Sequence, residues 1–174
     1  MWSSIKQFTT EGSVKPPKLI SPSNFVTNTT VVPNFVWENI VEASSYKIQI
    51  SKFQNFGTMA VEESNLTSPT YTVPKYKLNF STIYYWRIKT KINSVESEWS
   101  EIWKFTTGAL TYPNPVSPSY ASTNISLTTK LDWTDVANID NYILQIANDY
   151  SFTSIAFEKS NLTASEFICP EGLL

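Results

Sequence analysis

Along most of this chain, apolar and polar side chains alternate with a period of two. "VVPNFVWEN" places Val31, Phe35 and Trp37 on one face, and "LTTKLDW" does the same with Leu127, Leu131 and Trp133, leaving Lys130 and Asp132 outward. "SYKIQISK" turns Tyr46, Ile48 and Ile50 inward and Lys47, Gln49 and Ser51 outward. "PTYTVP" turns Tyr71 and Val73 inward. "IYYWRIKTK" turns Tyr84, Trp86 and Ile88 inward and Tyr85, Arg87 and Lys89 outward, and "SEWSEIWKFTT" supplies a closing strand. Such alternation marks strands with one buried face. No stretch carries an apolar stripe at helical spacing. Each run is short, rich in β-branched or aromatic residues, and bounded by proline or polar turn residues. Seven or so antiparallel strands in about a hundred residues predict an all-β, immunoglobulin-like sandwich, two sheets burying their aromatic faces against each other.

The pattern occurs nearly twice. A shift of 96 residues carries Trp37 onto Trp133 and continues without a gap. Ser21-Pro22-Ser23 falls on Ser117-Pro118-Ser119, Thr27-Asn28 on Thr123-Asn124, Tyr46 on Tyr142, Gln49-Ile50 on Gln145-Ile146 and Phe56 on Phe152. "ESNLT" at 63–67 meets "KSNLT" at 159–163, and Pro74 meets Pro170. At a shift of 97, Trp2 falls on Trp99, Ile5 on Ile102 and Phe8-Thr9-Thr10 on Phe105-Thr106-Thr107. The expected organisation is therefore a closing strand of a preceding repeat (1–10), a linker (11–17), a complete domain (18–107) and a linker (108–115). A partial second domain (116–174) follows, lacking its last two strands. Both linkers contain proline, which predicts a semi-rigid string of modules.

Composition narrows the chemistry. Hydrophobic residues make up 41% of the 174 and aromatics 14%, enough for packed cores and against disorder. There is no histidine, which removes the commonest general base and metal ligand. One cysteine, Cys169, forbids an intrachain disulfide; it aligns with the inward Val73 and reads as a small buried hydrophobe. No phosphate-binding glycine loop, nucleophile elbow or calcium loop is present. Asp132, Asp135 and Asp140 read as solvated carboxylates rather than a catalytic pair or metal ligands. The net charge is −2 with a single arginine, Arg87, so nucleic acid is not an expected partner. No apolar run is long enough to insert into a membrane. No catalytic, cofactor-binding or metal-binding residue is assigned.

These residues together resemble the fibronectin type III domain, in the tandem form found on bacterial and archaeal surface proteins and secreted enzymes. The resemblance rests on Trp37 and Trp133 in the second strand, Tyr46 and Tyr142 in the third, and "LNFSTIYYWRI" with Leu78, Thr82, Tyr84, Trp86 and Ile88. "WSEIWKFTT" stands as the closing strand. It covers essentially the whole chain. It implies that Tyr84 is a tyrosine-corner residue whose hydroxyl bonds back to nearby backbone. It also implies that Leu174, aligned with Leu78, precedes the place of two further strands. Their absence would leave the third strand with a free edge and the core open over Trp133 and Tyr142. Two explanations stand: an excerpt of a longer array, or completion by another chain, with residues 2–10 of one copy filling the sandwich of another.

The expected function is a non-catalytic spacer and interaction scaffold in a larger extracellular or cell-surface protein. The alternatives are a carbohydrate-binding accessory module of a secreted enzyme, or a filament or adhesin subunit using strand complementation. Expected partners are neighbouring repeats, other copies of the protein, or surface carbohydrate or protein. "WSEIW" is similar to the Trp-Ser-x-x-Trp pattern of some receptor domains of the family, in which arginines stack on tryptophan. Arg87 and Lys89 would stack on Trp99 in that case; ordinary packing of Trp99 at the sheet end is the preferred reading. Trp103 aligns with Lys6 and is expected to tolerate solvent, forming with Tyr85 an alternative sugar-stacking platform. Asn28, Asn65, Asn79, Asn124 and Asn161 head glycosylation sequons, which either carry glycans or follow from composition and duplication.

Overall fold

The computed structural model describes residues 13–173. The closing strand expected at 1–10 lies outside the described residues. Every regular element among those described is a strand, and no helix is long and apolar enough to cross a membrane. The chain divides into two compact units, Met1–Ala109 and Leu110–Leu174.

Unit 1 contains β1 (Leu19–Ser21), β2 (Val26–Thr29), β3 (Asn34–Trp37), β4 (Ser45–Ser51), β5 (Val61–Leu66), β6 (Thr70–Thr72), β7 (Ile83–Ile92), β8 (Val95–Glu96) and β9 (Trp103–Thr107). One sheet has the order β1-β3-β6. The other runs β2-β9-β7-β4-β5, with β8 hooked onto β7. Between them lies the core the alternation predicts. Phe35, Ile48, Ile50, Tyr84, Trp86 and Ile88 are fully buried, and Trp37, Val73 and Phe105 are 1% exposed. The rings meet edge to face, Phe35 on Trp86 at 4.8 Å and Trp37 on Tyr46 at 5.4 Å between centroids, the arrangement that aromatic quadrupoles favour.

Unit 2 contains β10 (Pro115–Ser117), β11 (Lys130–Trp133), β12 (Tyr142–Ala147), β13 (Ile155–Leu162) and β14 (Glu166–Ile168). Its sheets are β10-β11-β14 and the pair β12-β13. Backbone and side chains repeat unit 1. Trp133 meets Tyr142 at 5.4 Å and 70°, as Trp37 meets Tyr46 at 5.4 Å and 66°. The Tyr46 hydroxyl accepts from Ile40 N–H, and the Tyr142 hydroxyl from Val136 N–H. Ser21–Pro22 and Ser117–Pro118 are both cis. Positive φ recurs at Asn28 and Asn124, Phe56 and Phe152, and Asn65 and Asn161. Asn65 and Asn161 sit where two residues of β5 or β13 oppose one of β4 or β12, a bulge in each edge-forming strand. The left-handed region penalises most side chains but favours asparagine, so duplicated backbone geometry accounts for these repeated asparagines. Asn65→Val is expected to destabilise unit 1 by about 1–2 kcal/mol while Asn65→Gly does not, as urea melts of the two variants would show.

Four expectations need correction. Gln49 and Ser51, expected outward, are 7% and 0% exposed. They do face away from the aromatic core, but Arg87 covers Gln49, and the turn after β4 covers Ser51, whose hydroxyl donates to Thr58 C=O at 2.6 Å. Leu127, expected inward, is 59% exposed, whereas its counterpart Val31 is 6%; unit 2 has no described equivalents of β7 and β9 to close over it. The closing strand starts only at Trp103. Residues 97–102 are held to β7 by the backbone N–H and hydroxyl of Ser97 and of Ser100 instead of a regular ladder. Finally, β2 pairs in parallel with β9. Residues 122–125, its counterparts, form no strand, because no β9 equivalent is described there.

Candidate functional site

On the outer face of the larger sheet of unit 1, a ladder of charged and aromatic groups runs from β5 to the segment after β8. The Arg87 guanidinium lies between two rings, 4.0 Å from the Phe56 centroid and 4.3 Å from that of Trp99. Lys89 Nζ lies 5.0 Å from the same Trp99 ring. Stacking, not simple packing of Trp99, is therefore what the structure shows. Cross-strand register sets Arg87 opposite Gln49. Gln49 Oε1 accepts from Arg87 Nε at 2.9 Å and from Nη2 at 2.7 Å, while Gln49 Nε2 donates to Glu62 at 3.2 Å. Lys47 pairs with Glu62 and Lys89 with Glu96. Hydrogen bonds from Lys47 and then Gln49 hold the Glu62 carboxyl below the usual carboxylate range. Its contribution is thus present above that range and fades as pH falls through the lowered value. For so exposed a pair the contribution stays within about 1 kcal/mol.

The Trp99 ring is positioned by its neighbours. Ser97 and Ser100 each close a two-bond ring with β7. Ser97 N–H donates to Thr90 C=O at 2.8 Å, and Ser97 Oγ accepts from Thr90 N–H at 3.0 Å. Ser100 repeats this with Ile88 at 2.8 and 3.0 Å. The segment is thereby pinned and Trp99 is laid over Arg87 and Lys89. Arg87→Ala is expected to cost about 1–2 kcal/mol of unit 1 stability. Arg87→Lys should not restore it in denaturant melts, since an ammonium cannot fork onto Gln49 and stack on two rings at once.

Tyr85 and Trp103 do not form a sugar-stacking platform. Trp103 stands opposite Trp86 and shares its face, whereas Tyr85 stands opposite Lys104 on the other face. Trp103 packs edge-on against Trp86 at 6.1 Å. Its place in the core had a visible signal, the parity it shares with Phe105 and Thr107.

In unit 2 the corresponding surface is open. A groove of about 390 Å³ is lined by Pro115, Leu131, Trp133, Tyr142, Gln145 and Phe152, among others. β4 is paired on both edges, whereas among the described residues β12 pairs with β13 alone. Phe56 is 5% exposed and Phe152 54%. Gln49 is buried and Gln145 exposed. Cys169, like Val73, is 1% exposed, and burial pushes its thiol up. Asn28, Asn65, Asn79, Asn124 and Asn161 are all exposed and spread over both units. Among the described residues no three acidic or cysteine side chains gather as a metal site would require.

No protein-family model matches the chain, and no curated protein does. Solved structures do. An Fn3-like protein from Clostridium thermocellum is 21% identical, matched over 57% of this chain and 100% of its own, with a TM-score of 0.42. The sixth fibronectin type III domain of a human protein is 17% identical over 63% of this chain and 96% of its own, TM-score 0.43. The chicken CNTN1 FN1–FN3 domains are 13% identical over 95% of this chain and 58% of theirs, TM-score 0.42. The chain's own geometry supplies the argument. In unit 1, β7 lies between β4 and β9, and Asn79 N–H donates to the buried Tyr84 hydroxyl at 2.9 Å, a tyrosine corner. In strand order, in that corner and in its aromatic core, unit 1 is an immunoglobulin-like β-sandwich, and unit 2 repeats its tryptophan–tyrosine contact and strand pairings.

Proposed function

We propose that this chain is a non-catalytic spacer and interaction scaffold within a larger extracellular or cell-surface protein. The observation that carries the reading is the reuse of one design. Both units set the same tryptophan edge-on to the same tyrosine and bulge at the same asparagine. Duplicated sandwiches extend a polypeptide by identical increments and present sheet faces on which partners dock. In unit 1 Arg87, Lys47 and Lys89 of the outer face are engaged within the unit, Arg87 by Gln49 and two rings and the lysines by Glu62 and Glu96. That suits a structural surface better than a reaction centre.

Intact cells of the source organism, treated with a non-penetrating protease, test the reading. Antibody against unit 1 should show the segment cleaved without lysis. Protection until lysis overturns an exterior location. Affinity electrophoresis in polysaccharide gels should leave mobility unchanged, whereas retardation favours an accessory sugar-binding module.

A further inference from the structure

We propose that this chain associates with a second copy of itself, an aromatic pocket on unit 1 receiving Tyr150 from unit 2 of the other copy. Lys104 at the pocket meets Asp149 beside that tyrosine. The proposal rests on the scaffold reading and names its partner.

A strained side chain marks the pocket. Phe25, in the turn before β2, has a φ of 66° and is 68% exposed. A bulky residue in the left-handed region is an outlier, and such outliers collect at binding sites. The bend itself needs no ring, since Ala121, its repeat equivalent, has a φ of 60°. The ring does not serve the core either. It is pinned toward solvent: Phe25 N–H donates to Lys104 C=O at 2.7 Å, and Lys104 N–H donates to Asn24 Oδ1 at 3.0 Å. Lys104 Nζ lies 4.9 Å from the ring centroid. With Asn24, Gln54, Tyr85 and Ile102, these two residues line a cavity of about 160 Å³. No carboxylate lines it, and Lys104 is its one charge.

Charge identifies the occupant. Position for position, residues 14–78 carry six lysines and four acids, net +2, whereas their equivalents 110–174 carry two lysines and seven acids, net −5. None of the six lysines is kept in the second repeat; Lys75 becomes Glu171. Unit 1 of one copy therefore attracts unit 2 of another, while like units repel. One turn of unit 2, between β12 and β13, offers an acid and a ring together. Tyr150 is 95% exposed. Its equivalent Gln54 is exposed in the closed sandwich of unit 1, so this position faces solvent in both units. Asp149 fixes the turn. Its Oδ1 accepts from Ser151 N–H and from the N–H and hydroxyl of Thr153, and its Oδ2 from Ser154 N–H at 2.6 Å. Bonds from Thr153 and then Ser154 N–H hold its carboxyl below the usual carboxylate range, so it stays charged. Oδ2 accepts one donor and keeps room for an ammonium, and the adjacent ring suits a cavity walled by two others. The fit runs one way: unit 1 has Phe53 and Gln54 where unit 2 has Asp149 and Tyr150, and unit 2 has Ala121 where unit 1 has Phe25.

Sedimentation velocity of the full chain over a concentration series tests this. Reversible association is expected at about 10–100 μM, the range of a small contact. It should weaken about tenfold as NaCl rises from about 0.05 to about 0.5 M. Phe25→Ala and Tyr150→Ser should each weaken it about tenfold or more. Both variants keep the fold, because alanine occupies the equivalent bend of unit 2 and Tyr150 is 95% exposed; circular dichroism melts verify it. Mixing the two variants is the decisive step. Phe25→Ala retains the tyrosine and Tyr150→Ser retains the pocket. Fluorescein-labelled Phe25→Ala should therefore bind Tyr150→Ser about tenfold more tightly than it binds itself, as read by anisotropy. A chain that stays monomeric up to about 1 mM overturns the proposal. So does association that ignores both substitutions or strengthens with salt, which would be adhesion of apolar surface. A mixture that binds no better than either variant alone also overturns it, since the pocket and the tyrosine would then not be partners. These readouts concern association alone, so their failure leaves the protease test of an exterior location standing.

Discussion

Trp37→Ala is expected to destabilise unit 1 by about 3–5 kcal/mol, while the same change at its repeat partner, Trp133→Ala, costs unit 2 no more than about half as much. The two tryptophans are repeat equivalents and meet the same edge-on tyrosine. They differ in what lies over them. Trp37 is 1% exposed beneath the closed sandwich, whereas Trp133 is half-buried on the wall of an open groove. Trp37 Nε1 has no hydrogen-bond partner among the described residues, so packing is what alanine removes. Urea melts followed by circular dichroism, with each variant against the parent chain, give the comparison. Equal costs at the two positions would mean that the groove of unit 2 is covered in solution.

Tyr84→Phe should cost about 1–3 kcal/mol, although every carbon atom stays in place. The ring remains stacked on Phe105, 5.8 Å away. The lost hydroxyl leaves Asn79 N–H without its acceptor. Thr107 braces the same turn: its hydroxyl donates to Asn79 C=O at 2.7 Å and accepts from Thr82 N–H at 2.9 Å. Tyr84→Phe and Thr107→Val should therefore be less than additive, since either change loosens the segment that the other holds. Amide exchange at Asn79 and Thr82 reports this directly, faster in each single variant and little faster again in the double.

Much of the core was legible because period-two alternation is imposed by the pleat itself. Phe35 and Trp37, Tyr46 to Ile50, and Tyr84 to Ile88 all turn where alternation puts them. The charged outer face was less legible. Candidates for stacking could be named from "WSEIW", but Arg87 meets Gln49 across 38 residues of chain, and that meeting depends on cross-strand register. Residues 97–102 read as part of the closing strand, yet Ser97 and Ser100 each bond to β7 through the backbone N–H and the hydroxyl together, outside a regular ladder. Burial of Gln49 and Ser51 could not be read from parity, which separates one sheet face from the other but not covered from bare. Leu127 failed for a related reason. A residue faces a core only if the opposite wall is there.

The left-handed asparagines have a bearing on how sugar attachment to this chain is studied. Glutamine, the usual conservative replacement at an acceptor asparagine, would place a longer side chain at φ near 60° at Asn28, Asn65, Asn124 and Asn161. A loss of secretion or solubility in such variants would then mix backbone strain with a missing glycan. Altering the hydroxyl residue two places on, at Thr30, Thr67, Ser126 or Thr163, abolishes each acceptor while keeping the left-handed asparagine itself.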